Sequence, residues 1–181
     1  MSSGVVATLP YESARLRFRL LRPDDLPAFY SYRANPDVAR LQGWSLMSRE
    51  EAEVFIQEQA SVRTLDPGCW AQFAIASKDE DALIGDIGIC LSAGASEAEF
   101  GLTISPQFQG RGLGTEAVRG IVAFLFQDRA IRSVVASTDD RNAPCLGALK
   151  SAGMRMFGSN EATYKGELCL EHLFRIERVD D

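Results

Sequence analysis

Ile104-Ser-Pro-Gln-Phe-Gln109-Gly-Arg-Gly-Leu-Gly-Thr115 is the stretch on which the reading of this chain turns. The residues before it, Ala98 to Ser105, have strand character. From Leu113 onward the apolar side chains Leu113, Ala117, Ile121, Phe124 and Leu125 recur at helical spacing. The segment therefore lies where a strand hands over to a helix. Its three glycines, Gly110, Gly112 and Gly114, remove side chains that would block close approach. Backbone N–H groups in a first helical turn have no partner within the helix and carry the positive end of its dipole, so a diphosphate fits there.

Two familiar glycine loops bind other anions, and this one differs from both. A nucleotide P-loop ends in Gly-Lys-Ser/Thr, whereas Gly114 is followed by Thr115 and Glu116, with no lysine to meet the phosphates. A dinucleotide fingerprint needs a third glycine where Thr115 stands, and it follows an early strand, whereas this strand lies mid-chain after several antiparallel ones. ATP and NAD are both disfavoured.

Working outward, Leu16, Phe18 and Leu20 alternate with Arg15, Arg17 and Arg19, the period of a strand with one buried face. A helix is expected to begin near Asp25, with Leu26, Phe29, Tyr30 and Arg33 at helical spacing, and to end by Asn35-Pro36. Ser48-Arg49-Glu50-Glu51 is a capping box that opens a second helix, and the loop between the two carries Trp44. Trp70 to Ser77 and Leu83 to Leu91 read as strands of an antiparallel meander with Ala98 to Ser105. Ser133 to Ser137 follows the long helix as a strand, which implies a parallel crossover. A helix from about Pro144 to Ala152 and two strands, Met154 to Asn160 and Leu168 to Arg178, close the pattern.

The 181 residues, 46% of them hydrophobic, suit one domain over 1–181, with residues 1–14 as a flexible or extended N-terminal segment. The net charge of -6, with no run of Lys or Arg, speaks against nucleic acid as a partner. No stretch reads as a leader or a membrane span, so a cytoplasmic setting is expected, with no membrane partner. Cys69, Cys90, Cys145 and Cys169 are scattered and His172 is the only histidine, so neither a metal site nor a disulfide framework is indicated.

Gln109-Gly110-Arg111-Gly112-Leu113-Gly114 resembles the Q/R-x-x-G-x-G/A acetyl-CoA motif of the GNAT N-acetyltransferases. Gly114-Thr115-Glu116-Ala117, Glu99-Phe100-Gly101-Leu102, and Asn142-x-x-Cys145 with Leu149-Lys150-Ser151-Ala152-Gly153-Met154 resemble the branch that includes the ribosomal-protein N-terminal acetyltransferases. The likeness runs roughly from residue 15 to residue 178. It implies an α/β fold with a mixed, mostly antiparallel sheet of six to seven strands, splayed in the middle and flanked by about four helices. It also implies that main-chain groups of Leu102, Thr103 and Ile104 pair with the pantetheine arm of acetyl-CoA. N–H groups from Gln109 through Gly110, Arg111, Gly112, Leu113 and Gly114, with Thr115, would take the pyrophosphate. Asn142 would bond the arm or a water, and Arg111 would add a charge contact.

A primary amine is protonated at neutral pH and must lose a proton before it attacks a thioester, so a base is needed. Glu97 and Glu99 share a strand face, and Glu99, nearer the donor slot, resembles the glutamate found in this branch. The departing thiolate needs a proton. The family's Asn-x-x-Ser serine is replaced here by Cys145, whose thiol can donate. Trp44, Glu97 and His172 are candidate acceptor contacts, and Tyr164 a weaker one. The acceptor stays open among a protein N-terminus, a polyamine and an aminoglycoside-like amine. So do the alternatives of a non-catalytic acyl-CoA module and of another donor such as succinyl-CoA. Oligomeric state is not written in the sequence, although homodimers are frequent among proteins of this kind.

Overall fold

The structure is a computed structural model that describes residues 5–6 and 8–179. In chain order it forms β1 (Val5–Val6), β2 (Tyr11–Glu12), β3 (Leu16–Leu20), α1 (Leu26–Arg33), α2 (Pro36–Ala39), α3 (Arg49–Gln59) and β4 (Thr64–Leu65). There follow β5 (Trp70–Ser77), β6 (Leu83–Leu91), β7 (Glu97–Ile104), α4 (Leu113–Leu125), β8 (Ser133–Asp139), α5 (Ala143–Ser151), β9 (Arg155–Tyr164) and β10 (Glu167–Glu177). Eight strands make one sheet in the order β2-β3-β5-β6-β7-β8-β10-β9, and β1 pairs with β4 apart from it. All neighbours in the large sheet run antiparallel except β7 and β8, which α4 connects as a parallel pair.

The local signals account for these elements. Asp25 accepts from the Arg22 N–H at 2.8 Å and so closes the 3-10 turn Pro23–Asp25 that leads into α1. Ser48 and Glu51 exchange the two bonds of a capping box at the start of α3. The Asn35-Pro36 step ends α1 and also begins α2, because the Asn35 side chain accepts from the Asp37 N–H at 2.9 Å. The large sheet holds eight strands where six to seven were expected. The addition is β2, which lies in the segment 1–14 and pairs with β3. Two residues are too few to show a period.

Helices cover both faces. On one side α4 buries Ala117, Val118, Ile121 and Leu125 against Phe18, Phe73, Ile87, Phe100 and Phe174. On the other, Phe29, Tyr32, Ala52 and Ile56 of α1 and α3 pack on Leu21, Ala74 and Leu83. The apolar stripe read for α4 is therefore its buried stripe, and burial of that face outweighs intrinsic propensity in holding the helix.

Strand β6 carries one extra residue: Ile75 opposes Gly85 while Ala76 opposes Leu83, which leaves Ile84 as a bulge. Just there β7 approaches so closely that a Cβ on Gly85 would stand 2.0 Å from the Thr103 carbonyl oxygen. Backbone cannot yield as a side-chain tip can. Gly85→Ala is expected to destabilise the protein by about 1–3 kcal/mol, as overpacking does. Gly101→Ala, with no atom within 4 Å of the added carbon, serves as the control and is expected to leave the urea midpoint nearly unchanged. Equal midpoints for the two variants would contradict the close approach at Gly85.

Candidate active site

The parallel pairing of β7 with β8 lasts for three residue pairs, Glu97 with Ser133, Ala98 with Val134 and Glu99 with Val135. Beyond Glu99 the strands part. Leu102, Thr103 and Ile104 remain bonded to β6 on one side, opposite Ile87, Asp86 and Gly85. The other edge of Leu102 and Thr103 faces a cleft of about 570 Å³. An open strand edge of this kind presents unpaired main-chain donors and acceptors at a spacing that suits the amides of an extended ligand. Ser137, Thr138, Asn142 and Cys145 line the facing wall, and Gly88 and Gly101, side by side on β6 and β7, lie on its floor.

The glycine loop follows directly from β7. Gln109 folds back so that its Nε2 donates to the Ile104 carbonyl at 2.8 Å, tying the loop to the strand end. Gly110 and Gly112 both stand at φ 74, in the left-handed region that favours glycine, and Gly112 caps α4. The first intrahelical bond is donated by Glu116 to the Gly112 carbonyl at 3.1 Å, so the N–H groups of Leu113, Gly114 and Thr115 precede it. Arg111 is exposed and lies 5.8 Å from the Phe108 ring centre. The loop residues read from the sequence thus form one turn at a helix start, contiguous with the open edge of β7. Residues of this kind fit a long ligand with a diphosphate at one end.

At the other end of the cleft stands Glu99, exposed to the opening yet walled in enough that burial raises its pKa, helped by the charges of Glu171 and Glu97. Glu171 accepts from the Tyr164 hydroxyl, and both line the cleft with Trp44 and Trp70. Burial, then Glu171, pushes the Tyr164 pKa upward, so this phenol stays a donor at neutral pH. Cys145 lines the slot at the start of α5. Burial raises its thiol pKa, against the lowering effect of a bond to Thr138.

Asn142 lines the cleft as expected, with its Oδ1 engaged in capping α5, accepting from the Cys145 N–H at 3.3 Å. Two expected acceptor contacts lie elsewhere. Glu97 does not line the cleft: its carboxylate accepts from Ser133 Oγ at 2.8 Å and from Arg175 Nη2 at 3.0 Å. His172 alternates with Glu171 along β10 and so falls on the opposite sheet face, where its Nδ1 meets Ser159 Oγ at 2.8 Å.

A buried group supports the Glu99 end of the cleft and had no place in the motif reading. Asp86, 1% exposed, accepts from Tyr32 Oη at 2.6 Å, from Arg33 Nη2 at 2.7 Å and from Gln72 Nε2 at 2.6 Å. Arg33, 3% exposed, also stacks its guanidinium 4.3 Å from the Trp44 ring centre. The Trp44 carbonyl in turn accepts from Lys165 at the tip of the β9–β10 hairpin. The signal was present: a lone Asp in the apolar run Leu83 to Leu91, and an Arg on the apolar stripe of α1, each need a partner when buried.

Residues 15–155 match a family described as Acetyltransferase (GNAT) domain. The uncharacterised N-acetyltransferase YnaD of Bacillus subtilis (strain 168) is 26% identical over 144 residues, covering 80% of this chain and 81% of that protein. A GNAT-family acetyltransferase from Bacillus anthracis superposes with a TM-score of 0.81 at 20% identity, over 92% of this chain and 97% of the other. The ribosomal alpha-N-protein acetyltransferase RimL, solved with coenzyme A, gives 0.78 at 15% identity, over 91% and 95%. At these identities the two structures speak for a shared fold.

Removing one partner of a buried ion pair strands the other charge, at a cost of about 3–5 kcal/mol. Arg33→Met is therefore expected to lower unfolding stability by that order in denaturant titration. A loss within about 1 kcal/mol, the range of an exposed pair, would contradict the anchoring role of Arg33 and Asp86.

Proposed function

The chain belongs to the GNAT acetyltransferase family, and from that premise we propose that it transfers the acetyl group of acetyl-CoA directly to a primary amine in a ternary complex. The observation that carries this reading is the continuity of three features: the open edge of β7 beyond Glu99, the glycine loop at the start of α4, and a carboxylate-lined cleft at the opposite end. In this reading Leu102, Thr103 and Ile104 pair with the pantetheine arm and the N–H groups of Gly110 to Thr115 hold the diphosphate. Asn142 lies beside the arm, and Arg111 supplies charge near the phosphates.

An acceptor amine arrives as an ammonium ion. Glu99 and Glu171 attract it, while Trp44, Trp70 and Tyr164 line the cleft beside them. Glu99 then takes the proton as the nitrogen attacks the thioester carbonyl. As the C–S bond breaks, the sulfur leaves as a thiolate and accepts a proton from Cys145, whose burial keeps it a thiol at neutral pH, and the second proton that the nitrogen sheds on becoming an amide restores that thiol. The acceptor class in this proposal is a protein N-terminus or a small amine such as a polyamine. The protein works in a reducing, cytoplasmic setting, consistent with four free cysteines among the described residues. No helix among those residues is long and apolar enough to cross a membrane.

Titration calorimetry with acetyl-CoA, followed by a thiol-release assay over N-terminal peptides, polyamines and aminoglycosides, tests the proposal. Saturable binding and turnover of at least one class are expected. Binding with no turnover would favour an acyl-CoA module, preference for succinyl-CoA would favour another donor, and no binding would overturn the reading.

The pH dependence has a definite sign. Glu99 acts as the carboxylate, so activity rises as pH increases through its pKa, and because that pKa is raised the rising limb sits above the ordinary carboxylate range. Glu171→Gln removes a repelling charge, lowers the Glu99 pKa and moves the limb to lower pH. Glu99→Gln is expected to lose about 10²–10⁴-fold in rate, the usual worth of a general base, and to lose the limb. A pH–rate profile of kcat/KM that is unchanged in both variants would remove Glu99 from this role.

A further inference from the structure

Arg15 precedes β3 in sequence by one residue and lies 96 positions before Arg111, yet its Nη1 donates to the Arg111 carbonyl at 3.0 Å. A peptide group is planar and trans, so the carbonyl of one residue and the N–H of the next point in opposite directions. A grip on the Arg111 carbonyl therefore turns the Gly112 N–H to the side of the loop away from Arg15. It also engages a carbonyl that would repel an anion if the peptide flipped. Gly112, at φ 74 and without a side chain, has little intrinsic preference to hold that plane by itself.

Arg15 is in turn held by Glu116, one turn into α4. Glu116 Oε2 accepts from Arg15 Nε at 2.7 Å, and Oε1 accepts from the Arg15 main-chain N–H at 2.6 Å and from Ser13 Oγ at 2.7 Å. The same residue donates its own N–H to the Gly112 carbonyl at 3.1 Å. Glu116 thus fixes the far side of Gly112 through the backbone and the near side through Arg15. A carbon added to Gly112 would lie 3.7 Å from Arg15 Nη2, so the guanidinium sits directly against the loop. An exposed ion pair would contribute little to stability. This one has a tight, multidentate geometry centred on a single peptide of the anion-binding turn.

We propose that Arg15, braced by Glu116, is a positioning residue for the acyl donor: it orients the Arg111–Gly112 peptide so that the Gly112 N–H meets the diphosphate. The proposal rests on acetyl-CoA as the donor. It assigns no contact with the thioester, so it affects donors that carry a diphosphate and spares those that do not.

The test compares acetyl-CoA with S-acetylpantetheine, which keeps the thioester and the arm but lacks the diphosphate. For Arg15→Met the KM for acetyl-CoA is expected to rise about tenfold, the equivalent of one good interaction, with kcat within about twofold and kcat/KM for S-acetylpantetheine unchanged. Glu116→Gln, which weakens the brace without removing it, is expected to shift the same ratio in the same direction by less, and it stands as the test if Arg15→Met fails to fold. Equal losses with both donors would mark a general structural defect and overturn the proposal. So would a wild-type preference for acetyl-CoA that both variants keep in full. A wild-type protein that uses neither donor would instead overturn the acyl-transfer reading beneath it.

Discussion

The rest of the site depends on the point at which two strands stop bonding. β7 and β8 pair for three residues, up to Glu99 and Val135, and then separate, while β7 itself continues to Ile104 before the loop that leads into α4. An unpaired edge inside a sheet leaves donors and acceptors that water or a ligand must satisfy. Here that edge leads on one side into the glycine loop and on the other to Glu99. A single break in hydrogen bonding therefore lays out the length of the cleft, from the glycine turn along the open edge of β7 to Glu99.

The two ends of that cleft are held by different physics. At the loop, direction matters, and it is supplied by backbone geometry: two glycines at positive φ, a helix start, and the Arg15–Glu116 brace behind it. At the acceptor end, charge matters. Glu99 and Glu171 keep the cleft mouth acidic, while Asp86, the other acid of the wall, is neutralised by Arg33 and buried. Arg33 bonds Asp86 through its edge and turns a face to Trp44, so the loop that carries Trp44 is anchored to the same buried pair. The acids divide into those that can meet an incoming cation and one that holds the wall.

Much of this was legible in the sequence where the cause is local. The capping box at Ser48, the stripe of α4, the strands Trp70–Ser77 and Leu83–Leu91 and the glycine loop follow from patterns within a dozen residues. That Glu99 lines the cleft was legible because strand alternation and a motif coincide. What escaped is what long-range pairing decides. Strand alternation puts His172 on the same side of β10 as Phe174. That this side faces away from the acceptor end follows only from the pairing of β10 with β8. Glu97 was drawn off by Arg175, a residue 78 positions away. Asp86 and Arg33 broke apolar patterns visibly, yet the fact that each resolves the other's burial appears only when α1 packs on β6.

In the proposed complex, specific main-chain groups, those of the open edge of β7 and of the glycine loop, hold the acyl donor. Amide hydrogen exchange with and without acetyl-CoA tests it residue by residue. Added protection on binding is expected in two segments, Leu102 to Ile104 and Gly110 to Thr115, with α3 unchanged. Binding that protects neither segment, or that protects α3 in their place, would contradict it.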